Sequence, residues 1–487
     1  MEAIFRWVLH GLLMATFALM VFLAYGARNF GGLQDPEAQE IAQLGRNIAQ
    51  GKGYTTEVVY PFSLALVPRC PGHPALRSLP GFPLCLALFF RRWGAKESTL
   101  LLLNALLFLA GVILGAALAA RLYSLRAAWW AVWAMGLSVP LLEDGITGRE
   151  GLWAAVWLLL WAHALLEVHR RWPRTGEALG WGWRVLVGLC GAALGMAALS
   201  ITGLWLSGLL LMGGWRAQGL WRGRTASFLL AAGFLLPSVL WWMVAFAWGL
   251  PPWRSLRHFE PIMHTAVYPE TTFLRWYTEY PYSPVYYVLA HPLNVLRKTI
   301  IQGWEWVERV PWLLGILLPG FVLHGILWGE AGTGYRRWST GVSLVLGGAW
   351  LTFLGRTPDL TPWVAWVPVL VVWGVVELLA MLEEWEEARS PRARRMAAGA
   401  LLGVLALPFF FQFFLHRPRS SLPREEAEVS FLRRLIPPDA VGMSDVPAWM
   451  AWKVERTAIA LPQREVHREM LQERGWGGYL YLSPEIL

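Results

Sequence analysis

Gln34–Tyr54, QDPEAQEIAQLGRNIAQGKGY, is a polar stretch with helical patterning that directly follows the first apolar run of the chain. Asp35 suits an N-cap and Pro36 the first helical position. Ala38, Ile41, Ala42, Ile48 and Ala49 fall on one helical face, and Gly51 and Gly53 follow as helix-ending glycines. The spacing therefore predicts a helix that opens on an acidic pair, Asp35 and Glu37, just outside a membrane. The loop that carries it runs from Gly26 to Ser98. A plain anchor or a transporter rarely needs such a loop, whereas an enzyme working at a membrane surface does.

The membrane itself is read from composition. Of 487 residues 56% are hydrophobic and only 15% are charged, against about a quarter charged in soluble chains. The 32 Trp and 13 Tyr suit two interfacial belts. The net charge of +9 does not indicate nucleic acid, because the arginines punctuate apolar spans and build no single basic face. Cys70, Cys85 and Cys190 lack metal-ligand spacing. Cys70 and Cys85 are read as two free thiols or as a pair if the first loop faces an oxidising compartment. The run Trp7–Tyr25 has the length of a full span and little positive charge before it, so it is read as a transmembrane helix and not a signal peptide.

Outward from the opening loop, Leu79–Phe90 is too short to cross and reads as re-entrant or interfacial. Spans follow at about Thr99–Leu122, with Gly111 and Gly115 spaced for close helix approach, Ala127–Leu141 and Gly151–Leu166. Glu143–Glu150, EDGITGRE, reads as a short polar loop between the last two. Val185–Trp215 reads as two short helices broken at Ser200–Gly203. Ala226–Trp248 is a further span, and Leu250–Arg309 is a long external region rich in Tyr, Pro and His. Val310–Trp328, Thr340–Leu354, Pro362–Leu382 and Met396–Leu415 complete about eleven spans. Arginines crowd alternate turns, from Arg121 and Arg126 to Arg394 and Arg395, whereas the opposite short turns hold only Arg149 and Arg356. The asymmetry puts the N-terminus in the cytoplasm and the Asp35 loop and the C-terminus outside the plasma membrane. The expected fold class is thus a mainly α, polytopic membrane domain over residues 1–416. Residues 417–487 alternate helix (Glu425–Leu435, Pro447–Val454, Arg464–Arg474) and strand (Ala440–Met443, Thr457–Leu461, Gly478–Leu482) and are expected to form a small soluble α/β domain with a parallel sheet.

Asp35-Pro36-Glu37 followed by RNIAQGKGY (Arg46–Tyr54) and PGFPLCLAL (Pro80–Leu88) resembles the first external loop of membrane glycosyltransferases of the GT-C fold. Within them it is most similar to the bacterial relatives of protein O-mannosyltransferases and aminoarabinose transferases. GITGREGLWAAVWLLLWA (Gly145–Ala162) resembles their second loop, where an acidic residue, here Glu150, opens the next span. Pro237–Trp253, Leu289–Ile300 and the tail piece Ile436–Trp452 agree in order. The chain departs from the pattern at Ser200-Ile201-Thr202, where many relatives carry a basic residue, and at Arg356, which lacks a following Tyr. Substrate contacts from those two places are not carried over.

The resemblance implies a polyprenyl-phosphate-linked sugar as donor, held in the bilayer of the cell envelope, and a protein, lipid or glycan acceptor. Such chemistry needs a carboxylate to take the acceptor proton, cations for the departing phosphate and an apolar groove for the prenyl chain. Asp35 is the expected general base, a role typically worth roughly 10²- to 10⁴-fold; as a cap alone it contributes about 1 kcal/mol. Glu150 is expected to orient the acceptor or to share a metal with Asp35, or it is merely an N-terminal charge on its span. Glu37 suits the helix dipole whatever else it does, and Glu143 and Asp144 read as a solvated loop. Candidate phosphate ligands are Arg69, His73, Arg77, Arg254, Arg257 and His258, each also readable as a headgroup contact. His264 and the run Tyr277–Tyr287 read as a sugar site or an interfacial belt. A divalent cation, magnesium or manganese, stays an open option, although no DxD occurs in the external loops and no Walker loop, HExxH helix or nucleophile elbow is present. The competing readings are a lipid or glycan flippase and a catalytically degenerate member of the fold. Charges at span ends instead of mid-span favour the enzyme.

Overall fold

The computed structural model describes residues 2–170, 180–199, 224–249, 256–259, 263, 284–315, 317–328, 338–347, 361–387, 390–415 and 423–483. The first apolar run forms α1, Glu2–Asn29, which ends at the Gly31–Gln34 turn. Helix α2, Pro36–Ala49, opens on Asp35, whose side chain accepts from the Ala38 N–H, with Pro36 in the first turn. It ends as expected: Gly51, at φ +78, sits past the cap, and Lys52 N–H reaches back to the Asn47 carbonyl. Three two-residue strands follow in loop one, β1 (Thr55–Thr56), β2 (Val58–Val59) and β3 (His73–Pro74), with a one-and-a-half-turn helix, α3 (Pro61–Leu66), between the last two. β1 and β3 pair antiparallel. The expected re-entrant segment is α4, Gly81–Trp93. It lies against α2, where Gly45 leaves room for Leu86, since a Cβ there would stand 3.2 Å from the Leu86 side chain.

Helix α5, Glu97–Leu122, is a full span. A Cβ added at Gly115 would meet Met135 at 2.5 Å, while one at Gly111 would meet nothing within 4 Å among the described residues, so of the two spaced glycines Gly115 is the one at a close contact there. The third span is bent: α6, Leu125–Gly136, and α7, Val139–Thr147, meet at 53° across Leu137-Ser138, with Pro140 in the first turn of the second piece. The polar loop expected at Glu143–Glu150 is corrected accordingly, because Glu143–Thr147 is the last part of α7. Asp144 is not solvated. It is buried and its carboxylate accepts the Leu152 N–H at 2.9 Å, which caps α8, Gly151–Arg170.

Helix α9, Trp181–Ala198, packs on Arg224–Ala247 with backbones nearly touching. Cβ atoms at Gly191 and Gly195 would stand 2.3 Å from the carbonyl oxygens of Leu230 and Phe234, and one at Gly233 would stand 2.1 Å from that of Gly188. A Gly191→Val chain is expected to lose about 1–3 kcal/mol or more of stability through overpacking, read as a lowered melting temperature in detergent. An unchanged melt would show that the two helices separate at little cost. The break expected at Ser200–Gly203 lies outside the described residues, as do Arg356 and His264.

Part of the long external region Leu250–Arg309 is helical. Pro284–Ala290 and Pro292–Leu314 are helices, and the second ends at Gly315, whose φ of +72 favours glycine. Val310, the expected start of the eighth span, thus lies inside a helix that begins at Pro292, and Leu318–Trp328 follows at a sharp bend past Gly315. Leu293, Leu296, Ile300, Trp304 and Val307 line one exposed stripe of Pro292–Leu314, as suits a lipid-facing surface. Trp338–Gly347, Val367–Glu387 and Pro391–Leu415 follow. Among the described residues six helices are long and apolar enough to cross a membrane, and eight if each bent pair is one span.

The tail holds the helix Pro423–Leu435, strands β4 (Val441–Ser444), β5 (Thr457–Ala460) and β6 (Tyr479–Tyr481), and the helix Glu465–Glu473, each close to its expected place. The sheet is parallel, as expected, but it is not confined to the tail: its order is β2-β5-β4-β6, and the edge strand β2 comes from loop one. The side-chain clamp is Arg46 of α2. It donates to the carbonyls of Ala451 (2.6 Å) and Trp452 (3.0 Å), pairs with Glu57 at 3.3 Å and stacks over the Trp452 ring. At the opposite end of α5, Arg121 pairs with Glu167 and contacts His163, and Tyr123 donates to Glu383. The three cysteines are free thiols.

Candidate active site at Asp35

The two carboxylate oxygens of Asp35 have separate partners. Oδ1 accepts the Ala38 N–H at 3.0 Å, and Oδ2 accepts from Nε of Arg149 at 3.0 Å and from its Nη2. The capping role and a chemical role therefore coexist on one side chain. Arg149 is placed by the turn between α7 and α8. Gly148, at φ +87, makes that turn, with the place of its Cβ 2.6 Å from Leu100 and 2.8 Å from Leu33, so the start of α5, the Gly31–Asp35 segment and Arg149 lie side by side.

Asp35 and Arg149 form one wall of a cavity of about 390 Å³. Its other lining comes from Tyr25 and Asn29 at the end of α1, Gly31, Gly32 and Gln34, Glu143 and Thr147 of α7, and Gln412 of Pro391–Leu415. Gln412 donates to Glu143 at 2.8 Å, and both hydrogen-bond the Tyr25 hydroxyl. Gln412 also borders a second cavity of about 430 Å³, otherwise lined by Val139, Trp312, Pro408, Phe411 and Leu415. Charged side chains thus line the first cavity, the chamber, and among the described residues none lines the second, and Gln412 borders both. Val139, Trp312 and Pro408 continue that apolar surface towards Leu137, Leu313 and Leu405.

The expected site residues fall into distinct places. Of Asp35 and Glu150, Asp35 lines the chamber, while Glu150 is buried at the start of α8 and is not in its lining; the second lining carboxylate is Glu143. Glu143, expected to be a solvated loop residue, is therefore corrected to a chamber residue. Arg77 and Glu37 are drawn into a separate cluster. Arg77 donates to Glu40 and to the Tyr60 hydroxyl, both at 2.8 Å, and lies 3.8 Å from Glu37. Ser78 adds a bond to Glu40 at 3.1 Å, and burial pushes the Tyr60 phenol far up. Arg77 is not in the chamber lining, and its guanidinium faces the buried Glu40 carboxylate. Arg254 lies outside the described residues; Arg257 and His258 belong to the 3-10 turn Leu256–Phe259, and their side chains lie outside them too.

His73 is not in the chamber lining either. It is buried with Nδ1 donating to the Arg69 carbonyl at 3.0 Å, and Nε2 has no hydrogen-bond partner among the described residues, so it is a packed histidine beside Arg69. Burial pushes its pKa from 6.5 down to about 4. The folded state therefore resists the proton that the unfolded chain accepts. Its contribution is whole above about pH 6.5 and is lost as the pH falls towards 4, roughly 3 kcal/mol at about 1.4 kcal/mol per unit. Melting curves between pH 7 and 4.5 are expected to show a shallower acid slope in His73→Gln than in the parent. Equal slopes would remove His73 from the acid response.

Arg149 and Gln412 were not among the expected site residues. Arg149 was visible only as a rare arginine on the external side; the signal for Gln412 is a single amide in the run PFFFQFFL, since polar groups at membrane depth tend to serve function. Among the described residues no three His, Cys, Asp or Glu side chains converge, and Oδ2 of Asp35 faces a guanidinium.

Chamber and fold together define a polytopic membrane protein of the GT-C fold, the fold of membrane glycosyltransferases. Similar solved structures include the archaeal oligosaccharyltransferase AglB from Archaeoglobus fulgidus, in complex with an inhibitory peptide and a dolichol-phosphate. It shares 13% identity over 99% of this chain and 70% of its own, with a TM-score of 0.62. ArnT from Cupriavidus metallidurans bound to undecaprenyl phosphate shares 14% identity over 99% of this chain and 94% of its own, with a TM-score of 0.57. No protein-family model and no curated protein sequence matches the chain.

Proposed function

We propose that the chain is an integral-membrane glycosyltransferase that moves a sugar from a polyprenyl-phosphate donor to an acceptor hydroxyl at the extracytoplasmic face of the plasma membrane. The observation that carries this reading is that Gln412 borders two cavities, one lined by Asp35, Glu143 and Arg149 and the other, among the described residues, by no charged side chain. An amphiphile with a charged head and a long apolar tail fits that pair of volumes, and a water-soluble sugar nucleotide has no use for the second. The structures of AglB with dolichol-phosphate and of ArnT with undecaprenyl phosphate have such amphiphiles bound.

In this reading the acceptor oxygen attacks C1 of the sugar, the bond from C1 to the phosphate oxygen breaks, and the polyprenyl phosphate leaves with the electron pair. Asp35 takes the acceptor proton on Oδ2 while Oδ1 stays fixed by the Ala38 N–H. Arg149 is on Oδ2 before the donor arrives. The donor phosphate competes for its guanidinium, and transfer of Arg149 to the phosphate frees the base as the leaving group becomes stabilised. Glu143, held by Gln412 and Tyr25, is placed to accept hydroxyls of the sugar. The N-terminus is cytoplasmic and the tail extracytoplasmic, following the arginine asymmetry of the turns.

The test uses purified chain in lipid with a panel of radiolabelled polyprenyl-phosphate sugars, following sugar release or transfer. Consumption of one donor is the expected result. A broad panel with neither binding nor turnover would sink the reading and favour a flippase or an inactive member of the fold.

A further inference from the structure

Among the described residues the chamber lining is short of positive charge for an anionic head group. These residues supply two carboxylates, Asp35 and Glu143, and one guanidinium, Arg149, which is itself paired with Asp35. A phosphate entering it needs a second cation. The tail brings one to the rim. Gly32 lines the chamber with φ +96, and the place where its Cβ would stand is 3.5 Å from Oε2 of Glu97 and 3.9 Å from Nζ of Lys453. Lys453 pairs with Oε1 of Glu97 at 2.7 Å, and the same oxygen accepts from Trp452 Nε1 at 3.3 Å. The segment that carries Lys453 is held on two sides, by Arg46 on the carbonyls of Ala451 and Trp452 and by Arg433 on the carbonyl of Lys453 itself. A lysine on a fixed backbone, with a flexible side chain and an exchangeable carboxylate partner, can swing across Gly32 without moving the fold.

We propose that Lys453 is the second cation of the donor-phosphate site, supplied to the membrane domain by the tail. When the phosphate enters, the ammonium leaves Glu97 for the phosphate opposite Arg149, and Glu97 keeps the Trp452 indole. The tail domain is then a substrate-binding part of the enzyme. The inference rests on the polyprenyl-phosphate reading above.

The experiment compares binding of undecaprenyl phosphate and of the uncharged alcohol undecaprenol to the full chain in detergent, for the parent, Lys453→Met and Lys453→Arg. Loss of one charge-assisted contact is expected to weaken undecaprenyl phosphate about tenfold or more in Lys453→Met. Undecaprenol binding is expected to stay unchanged, and Lys453→Arg to recover most of the affinity. Equal binding of undecaprenyl phosphate by the parent and Lys453→Met would overturn the inference while leaving the donor reading intact. So would parallel loss of both lipids, the mark of a merely loosened tail. A parent chain that binds neither lipid would overturn the donor reading and the inference with it.

Discussion

Asp35→Asn is expected to lower sugar transfer at least a hundredfold while leaving the chain folded and able to bind donor. General-base removal typically costs 10²- to 10⁴-fold, and asparagine caps a helix about as well as aspartate, so Oδ1 and the Ala38 N–H keep their contact. The amide cannot take the acceptor proton and no longer attracts Arg149 as a charge. Donor affinity is therefore expected to hold or to rise, because the phosphate no longer competes with a carboxylate for the guanidinium. That split separates the chemical role of Asp35 from its capping role, since a residue serving only as a cap would leave both the melt and the rate of Asp35→Asn unchanged. Transfer at the parent rate by Asp35→Asn would leave the enzyme standing and move the search for a base to Glu143 or Glu150.

Arg46→Ala is expected to undock the tail. Arg46 is 7% exposed, and its removal takes a donor from the carbonyls of Ala451 and Trp452 at once and leaves Glu57 paired with Lys52 at 3.4 Å. Breaking a buried charged contact from one side costs about 3–5 kcal/mol, which is large beside the two β2 residues that join loop one to the sheet. Hydrogen exchange is the direct reading: amides of β5 and β2 should lose protection while those of α5 and α8 keep theirs. Unchanged protection in the sheet would mean that strand pairing and the Glu97–Lys453 pair suffice. Undocking also carries Lys453 away from Gly32, so donor binding should weaken in parallel.

Periodicity was a sound guide wherever one face decides an element's fate. The full spans Glu97–Leu122 and Gly151–Arg170, and all three tail strands, lie within a few residues of their sequence-based bounds. It failed where a polar group continues a helix. EDGIT of α7 reads as loop by composition, yet it extends the bent third span because Asp144 is satisfied by the first turn of α8 and Glu143 by Gln412. It failed again at Pro292–Leu314, whose charged residues mask an apolar stripe.

By itself the sequence determined the membrane class, the helix that begins at Asp35 with its glycine end, and the small parallel sheet of the tail, because local propensity, capping and hydropathy act over a few residues. Tertiary structure alone decided the partners. Helix α2 reads as amphipathic, yet Gln39, Glu40, Gln43, Arg46 and Asn47 are buried with its apolar face, each bonded to loop one or the tail. Arg77 reads as a free cation and is spent on Glu40; Arg149 reads as a stray charge and faces Asp35. Whether a charge is a ligand or a strut depends on which counter-charge the fold brings within about 4 Å, and that distance is set by contacts far apart in the chain.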